Sequence, residues 1–148
     1  MLVLGADLSH KRTALVIVDS SLIVRKFEAF AIAKRPKWNL YLTNLFGRKL
    51  KALLPIDLCV IENNDHFEWY RPLFHAMLTA CQYHNINTLM PTPSAVRAGL
   101  LGKGRGGCSK DEVMRYLSEH HEISFDDDPG QDLSDAAACA VWGVKHGS

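Results

Sequence analysis

The first thirty residues alternate or run together in apolar positions, a pattern that predicts three strands. Leu2 to Leu8 reads as a strand ending in the turn Ser9-His10-Lys11-Arg12, and the β-branched run Thr13 to Val18 reads as its hairpin partner. After Asp19-Ser20-Ser21, a third extended stretch from Leu22 to Phe30 completes an antiparallel meander. The period then changes. Trp38 to Leu54 places Leu42, Leu45, Phe46, Leu50 and Leu53 on one side of a helix that Pro55 ends. Asp57 to Glu62 is a continuous apolar run closed by an acid, the pattern of a central strand buried on both faces. Beyond the polar turn Asn63-Asn64-Asp65-His66, a helix is predicted from about Glu68 to Tyr83, with Trp69, Leu73, Met77 and Ala80 inward. Asn85 to Met90 is a brief fifth strand stopped by Pro91 and Pro93, and Ser94 to Leu101 a short helix. Ser109 reads as the N-cap of a helix to about His121, with Glu112 completing a capping box. An acidic loop, Glu122 to Gln131, precedes a last helix whose stripe is Leu133, Ala136, Ala137, Ala140, Val141 and Val144.

The order βββ-α-β-α-β-α-α predicts an α/β fold. It is a five-stranded mixed sheet, with the first three strands antiparallel, the fourth and fifth parallel to the first, and helices on both faces. With no internal repeat, residues 1–148 read as one domain. Sites in such sheets lie at the carboxyl ends of the central strands. Asp7 ends the first strand, Glu62 closes the fourth, and the alanine-faced last helix can bring Asp132 and Asp135 to the same edge. Asp132 also fits a helix N-cap and Asp135 a first-turn acid, a commoner use of such residues.

Net charge is +1, so charge in bulk does not point to nucleic acid. Its distribution does. Bases gather at Lys34, Arg35, Lys37, Arg48, Lys49 and Lys51, and again at Arg97, Lys103, Arg105, Lys110 and Arg115; acids follow from Glu119 to Asp135. Basic runs are commonly just solvated helix faces. Cys59, Cys81, Cys108 and Cys139 lie far apart without metal-ligand spacing, as reduced thiols of a cytosolic protein do. No apolar run is long enough to cross a bilayer, and the N-terminus lacks a secretory pattern. Gly102-x-Gly104-x-x-Gly107 matches a dinucleotide fingerprint in letters only, because it follows a helical piece rather than a strand. It reads instead as backbone able to approach phosphates, with Lys103 and Arg105 supplying charge.

Four carboxylates from three elements repel one another and call for cations. Oxygen donors without His or Cys company suit magnesium or manganese. Two such ions roughly 4 Å apart serve phosphodiester hydrolysis.

At these residues the sequence resembles the RuvC-type Holliday-junction resolvases of the RNase H-like superfamily. The resemblance rests on Asp7 in Leu4-Gly5-Ala6-Asp7-Leu8-Ser9, Glu62 in Val60-Ile61-Glu62-Asn63, the glycine-basic stretch with Lys110, and Asp132-x-x-Asp135-Ala136-Ala137. It implies an RNase H-like fold and a homodimer that resolves four-way DNA junctions by paired nicks with two Mg2+ or Mn2+ ions. It makes Asp7, Glu62, Asp132 and Asp135 metal ligands and Lys110 a catalytic lysine. Arg97, Lys103, Arg105 and Lys110 become DNA contacts, and Phe67, Trp69 or Tyr70 candidates for the aromatic that stacks in the junction, although Trp69 is expected in the core. The chain departs from the family in having Leu8-Ser9 where a glycine follows the first acid, and in the later position of its first loop aromatic, which suggests a divergent or phage-encoded member. The implied location is the cytoplasm of a bacterium or phage-infected cell, away from any membrane, and a host helicase partner is left open.

Other readings keep part of this. A YqgF-like nuclease would share the fold but act on structured RNA, and its fourth-strand acid sits in a motif that Glu62-Asn63-Asn64 does not reproduce. A non-catalytic junction-binding protein would not need all four acids. An actin-like ATPase would need two lobes and a second phosphate loop.

Overall fold

The computed structural model describes residues 1–32, 38–64, 66–102 and 109–147; of Trp38 only the backbone is described. The expected basic turn Lys34 to Lys37, together with Asp65, Lys103, Arg105 and Cys108, lies outside those residues.

Five strands form one sheet in the order β3-β2-β1-β4-β5. β1 (Leu2–Asp7) pairs antiparallel with β2 (Thr13–Asp19), which pairs antiparallel with β3 (Val24–Phe30). β4 (Leu58–Ile61) runs parallel to β1, and β5 (Asn87–Leu89) parallel to β4. The expected mixed sheet is therefore the observed one. β3 starts two residues later than the apolar pattern indicated. Leu22 has φ 64°, and Asp19 gathers the turn by accepting from the Ser21 and Ile23 amides.

Helices cover both faces. α1 (Trp38–Leu53) and α2 (Arg71–Tyr83) lie on one, where Leu4, Leu15, Ile17, Leu42, Phe46, Leu50, Leu73 and Met77 form the core. α3 (Pro93–Leu101), α4 (Lys110–His121) and α5 (Asp132–His146) lie on the other, over Val3, Val16, Val18 and Val60. α2 begins three residues later than expected, with Pro72 in its first turn, where a missing amide hydrogen costs nothing. That shift takes Trp69 off the helical stripe. Trp69 is 51% exposed and Tyr70 (2%) takes the core position in its place, correcting the expected burial of Trp69.

α5 packs by small residues. A Cβ at Gly5 would lie 1.9 Å from the Ala136 carbonyl oxygen and 2.6 Å from the Ala140 nitrogen, so helix and strand meet backbone to backbone. At Gly143 a Cβ would lie 2.6 and 2.7 Å from the Val60 and Val3 side-chain methyls, so there the helix backbone rests on valine side chains. The small face expected of this helix thus sets its height above the sheet. Among the described residues, no helix is long and apolar enough to cross a membrane.

Candidate active site

Strand parity decides which side chains can meet. Val3, Val16 and Val60 belong to the α5-side core, whereas Leu4, Ala6, Cys59 and Ile61 belong to the other. Side chains alternate along a strand, so Asp7 and Glu62 follow Val3 and Val60 onto the α5 side. Ala6 pairs with Ile61, which places these acids at adjacent strand ends. α5 starts above that edge, with Asp132 and Asp135 in its first turn.

The N-cap reading of Asp132 does not hold. Gln131 stands at the cap position with φ 64° and makes no side-chain cap. The capping carboxylate comes from Asp128. Its oxygens accept from the Leu133 amide at 2.8 Å, the Ser134 amide at 3.0 Å and the Ser134 hydroxyl at 2.7 Å. A 3-10 turn, Pro129–Gln131, carries the chain from Asp128 to the helix. Asp132 is thereby relieved of capping and joins the other acids.

The four carboxylates act on one another. Asp7 is pushed up to about 8, first by burial and then by Asp135, Glu62 and Asp132, with Lys110 opposing. Burial also raises Glu62, helped by Asp135 and countered by Arg97, Lys110 and a hydrogen bond from Asn64. Asp132 is raised by burial against a hydrogen bond from Asp7 and the charge of Arg12. Asp7 in its protonated form is the donor in that pair. Lys110 Nζ donates to Asp135 Oδ2 at 2.9 Å, a bond that raises the lysine's pKa. Lys110 is the first residue of α4, inside the capping box that Ser109 and Glu112 close. A cation at a helix N-terminus is disfavoured by the dipole, so its place here answers to the acids.

Among the described residues, no three His, Cys, Asp or Glu side chains are drawn together closely enough to hold a metal ion. The acids stand as an open group, linked pairwise by the Asp7–Asp132 and Lys110–Asp135 contacts. Their donor chemistry nevertheless fits a hard divalent cation: carboxylate oxygens only, with a buried aspartate that keeps a proton when no cation compensates it. A groove of about 660 Å3 between β3 and residues 121–127 includes none of these acids. The four acids themselves are partly buried.

Of the expected DNA-contacting residues, Arg97 on α3 and Lys110 on α4 lie within electrostatic reach of Glu62. Phe67 is 45% exposed on the loop after β4, stacked on Trp69 with centroids 5.8 Å apart. Four contributors escaped sequence reasoning. Arg12 faces Asp132 and donates to the Pro129 and Asp127 carbonyls, at 3.5 and 3.4 Å. Asp128 caps α5, and the segment Asp128-Pro129-Gly130 was its available signal. Tyr70 donates from its hydroxyl to the Glu62 carbonyl, and the buried Cys139 thiol hydrogen-bonds the Glu62 side chain. Nothing local in the sequence marks those two.

With this geometry in hand, solved structures provide the comparison. The structure of Thermus thermophilus RuvC aligns over 99% of this chain and 97% of its own, with TM-score 0.78 and 18% identity. T. thermophilus RuvC in complex with a Holliday junction substrate aligns over 96% and 92%, with TM-score 0.77 and 19% identity. The chain has the RuvC-type, RNase H-like fold. Fowlpox virus resolvase, solved with substrate Holliday junction DNA, aligns over 98% and 97%, with TM-score 0.65 and 15% identity. No family model matches the chain, and no curated protein matches it by sequence. The RuvC-type fold is shared over the whole length, whereas the identity of individual residues is not.

Proposed function

We propose that residues 1–148 form one nuclease domain that resolves four-way DNA junctions by metal-dependent, paired phosphodiester hydrolysis. One observation carries the reading. Asp7, Glu62, Asp132 and Asp135, from three separate elements, lie with Lys110 at one edge of a RuvC-type sheet, near enough for their charges to act on one another. Asp7, Glu62, Asp132 and Asp135 would hold two Mg2+ or Mn2+ ions. Bound there, such ions supply an activated water and stabilise the leaving oxygen. Lys110, half exposed beside Asp135, supplies positive charge toward a scissile phosphate. Arg97, Lys103, Arg105 and Arg12 are the proposed phosphate contacts. Phe67 and Trp69 offer exposed rings on which unpaired bases can stack. Two symmetric cuts require two active sites, and a homodimer supplies them. Such a protein would act where DNA recombines, in a bacterial cytoplasm or a phage-infected cell.

The test is nicking of a synthetic four-way junction with Mg2+ or Mn2+, beside linear duplex, a splayed fork and structured RNA. Paired symmetric nicks confined to the junction support the proposal. Cutting of forks or RNA instead overturns the substrate, and no metal-dependent cutting of any substrate overturns the nuclease reading.

A further inference from the structure

The loop between β4 and α2 carries two functions on one short segment. Its outer side presents His66, Phe67 and Trp69: the first two rings lie 4.1 Å apart by centroid, the last two 5.8 Å. Its inner end is Tyr70, whose ring stands edge-on to Trp69 at 5.7 Å and 84° and lies 5.8 Å from Phe74. The Tyr70 hydroxyl donates to the main-chain carbonyl of Glu62. The Phe67 amide donates to the Asn64 carbonyl and the Tyr70 amide to the Phe67 carbonyl, at 3.0 and 3.1 Å, which tightens the same loop.

A buried tyrosine must find a partner for its hydroxyl. Several positions would satisfy that need, but this one closes the loop onto the acid itself. β4 ends at Ile61, and beyond it the Glu62–Asn63 peptide is held from two sides. The Asn63 amide donates to the Pro91 carbonyl at 2.8 Å, and the Tyr70 hydroxyl holds the Glu62 carbonyl. The ring that fixes it touches Trp69, and Trp69 touches Phe67, so an unbroken line of contacts joins the exposed aromatic pair to the backbone of a carboxylate.

We propose that Tyr70 is a positioning residue that couples the placement of Glu62 to the state of the Phe67–Trp69 pair, so that nucleic acid resting on the pair sets the acid for cation binding. The coupling to nucleic acid rests on the junction-nuclease reading; the hold on Glu62 does not.

Tyr70→Phe keeps the ring and removes only the hydroxyl. Mn2+ binding to the full chain, without DNA, is followed by the electron paramagnetic resonance of free Mn2+. Affinity is expected to fall about three- to tenfold, the factor carried by one ordinary hydrogen bond. The melting temperature of the metal-free protein should fall by only about 2–6 °C, the loss of one hydrogen bond, and its affinity for a four-way junction should stay within about twofold of wild type. Unchanged Mn2+ affinity overturns the proposal, as does a wild-type protein that binds no Mn2+. If wild type binds Mn2+ but cuts nothing, the nuclease reading falls while this comparison still decides the role of Tyr70. The coupling has its own readout in the Mn2+ concentration for half-maximal junction cutting. Trp69→Ala and Tyr70→Phe should each raise it, and the double variant should match Tyr70→Phe alone. Additive effects, or no cutting by wild type, overturn the coupling.

Discussion

The two faces of the sheet are packed on different principles. On the α1/α2 face, large side chains such as Phe46, Leu42, Leu73, Met77 and Tyr70 fill the space. On the α5 face, Gly5 meets the backbone of Ala136 and Ala140 with no room for a methyl group. Bulky cores relax around small changes through their rotamers. A backbone contact has no rotamers and cannot relax. The face that fixes the height of Asp132 and Asp135 over Asp7 and Glu62 is the one without that freedom. Volume secures stability on one side, and contact distance secures position on the other.

The largest effects should therefore come from the α5 side. Asp7→Asn is expected to lower junction cutting by at least about a thousandfold while leaving junction affinity within a fewfold. Concurrent loss of binding would reassign Asp7 to a structural role. The same variant sharpens the contrast through stability. Asp7 is raised from 3.8 to about 8 in the fold, so the native state holds a proton that the unfolded chain has released across that interval. Stability of the metal-free protein should then fall as pH rises from about 4 to 8 and level off above. Asp7→Asn should remove most of that slope, raising the melting temperature at pH 8 but little at pH 4, as scanning calorimetry at the two pH values will show. A slope that survives the substitution would mean that other groups carry it.

Next in size is a matched pair. Gly5→Ala forces a methyl group against the Ala136 carbonyl and should cost about 3 kcal/mol, with cutting per folded molecule reduced at least tenfold. Leu42→Ala empties a fully buried site on the other face and should cost about 2–5 kcal/mol with cutting per folded molecule nearly intact. Urea titration and single-turnover cutting measure both. Equal losses of activity at equal losses of stability would erase the distinction between the faces. A smaller effect is expected of Asp128→Ala, which removes the α5 cap. It should lower stability by about 1–2 kcal/mol in urea titration and raise the metal concentration for half-maximal cutting, because Asp132 loses its fixed start. A stability loss with unchanged metal dependence would separate the cap from the site.

Much of this was legible because it depends on local periodicity. Alternation along Leu2–Asp7 and Leu58–Ile61 placed both strands, and the alanines of α5 announced its close approach. Strand parity was in principle enough to put Asp7 and Glu62 on one side. Errors arose where a single residue redirects the chain. Pro72 begins α2 late enough to expose Trp69, and Leu22 takes a left-handed turn that shortens β3. Asp132 matched an N-cap in local pattern, but Asp128 reaches the same amides across a Pro-Gly turn. Tyr70, Cys139 and Arg12 were invisible for a different reason. Their partners lie 8 to over a hundred residues away, and no periodicity encodes such a contact.

The exposed tryptophan after β4 also makes the protein its own optical sensor. Trp69 is half in solvent and stacked on Phe67, whereas Trp142 is partly covered against Gly99 and His146 at the far end of α5. A base stacking on Trp69 should quench its emission and leave that of Trp142 largely unchanged. Subtracting the spectrum of Trp69→Phe isolates the responsive signal. Mixed rapidly with junction, the unlabelled protein would then report the arrival of DNA at this loop separately from the appearance of nicks, giving binding and chemistry separate clocks.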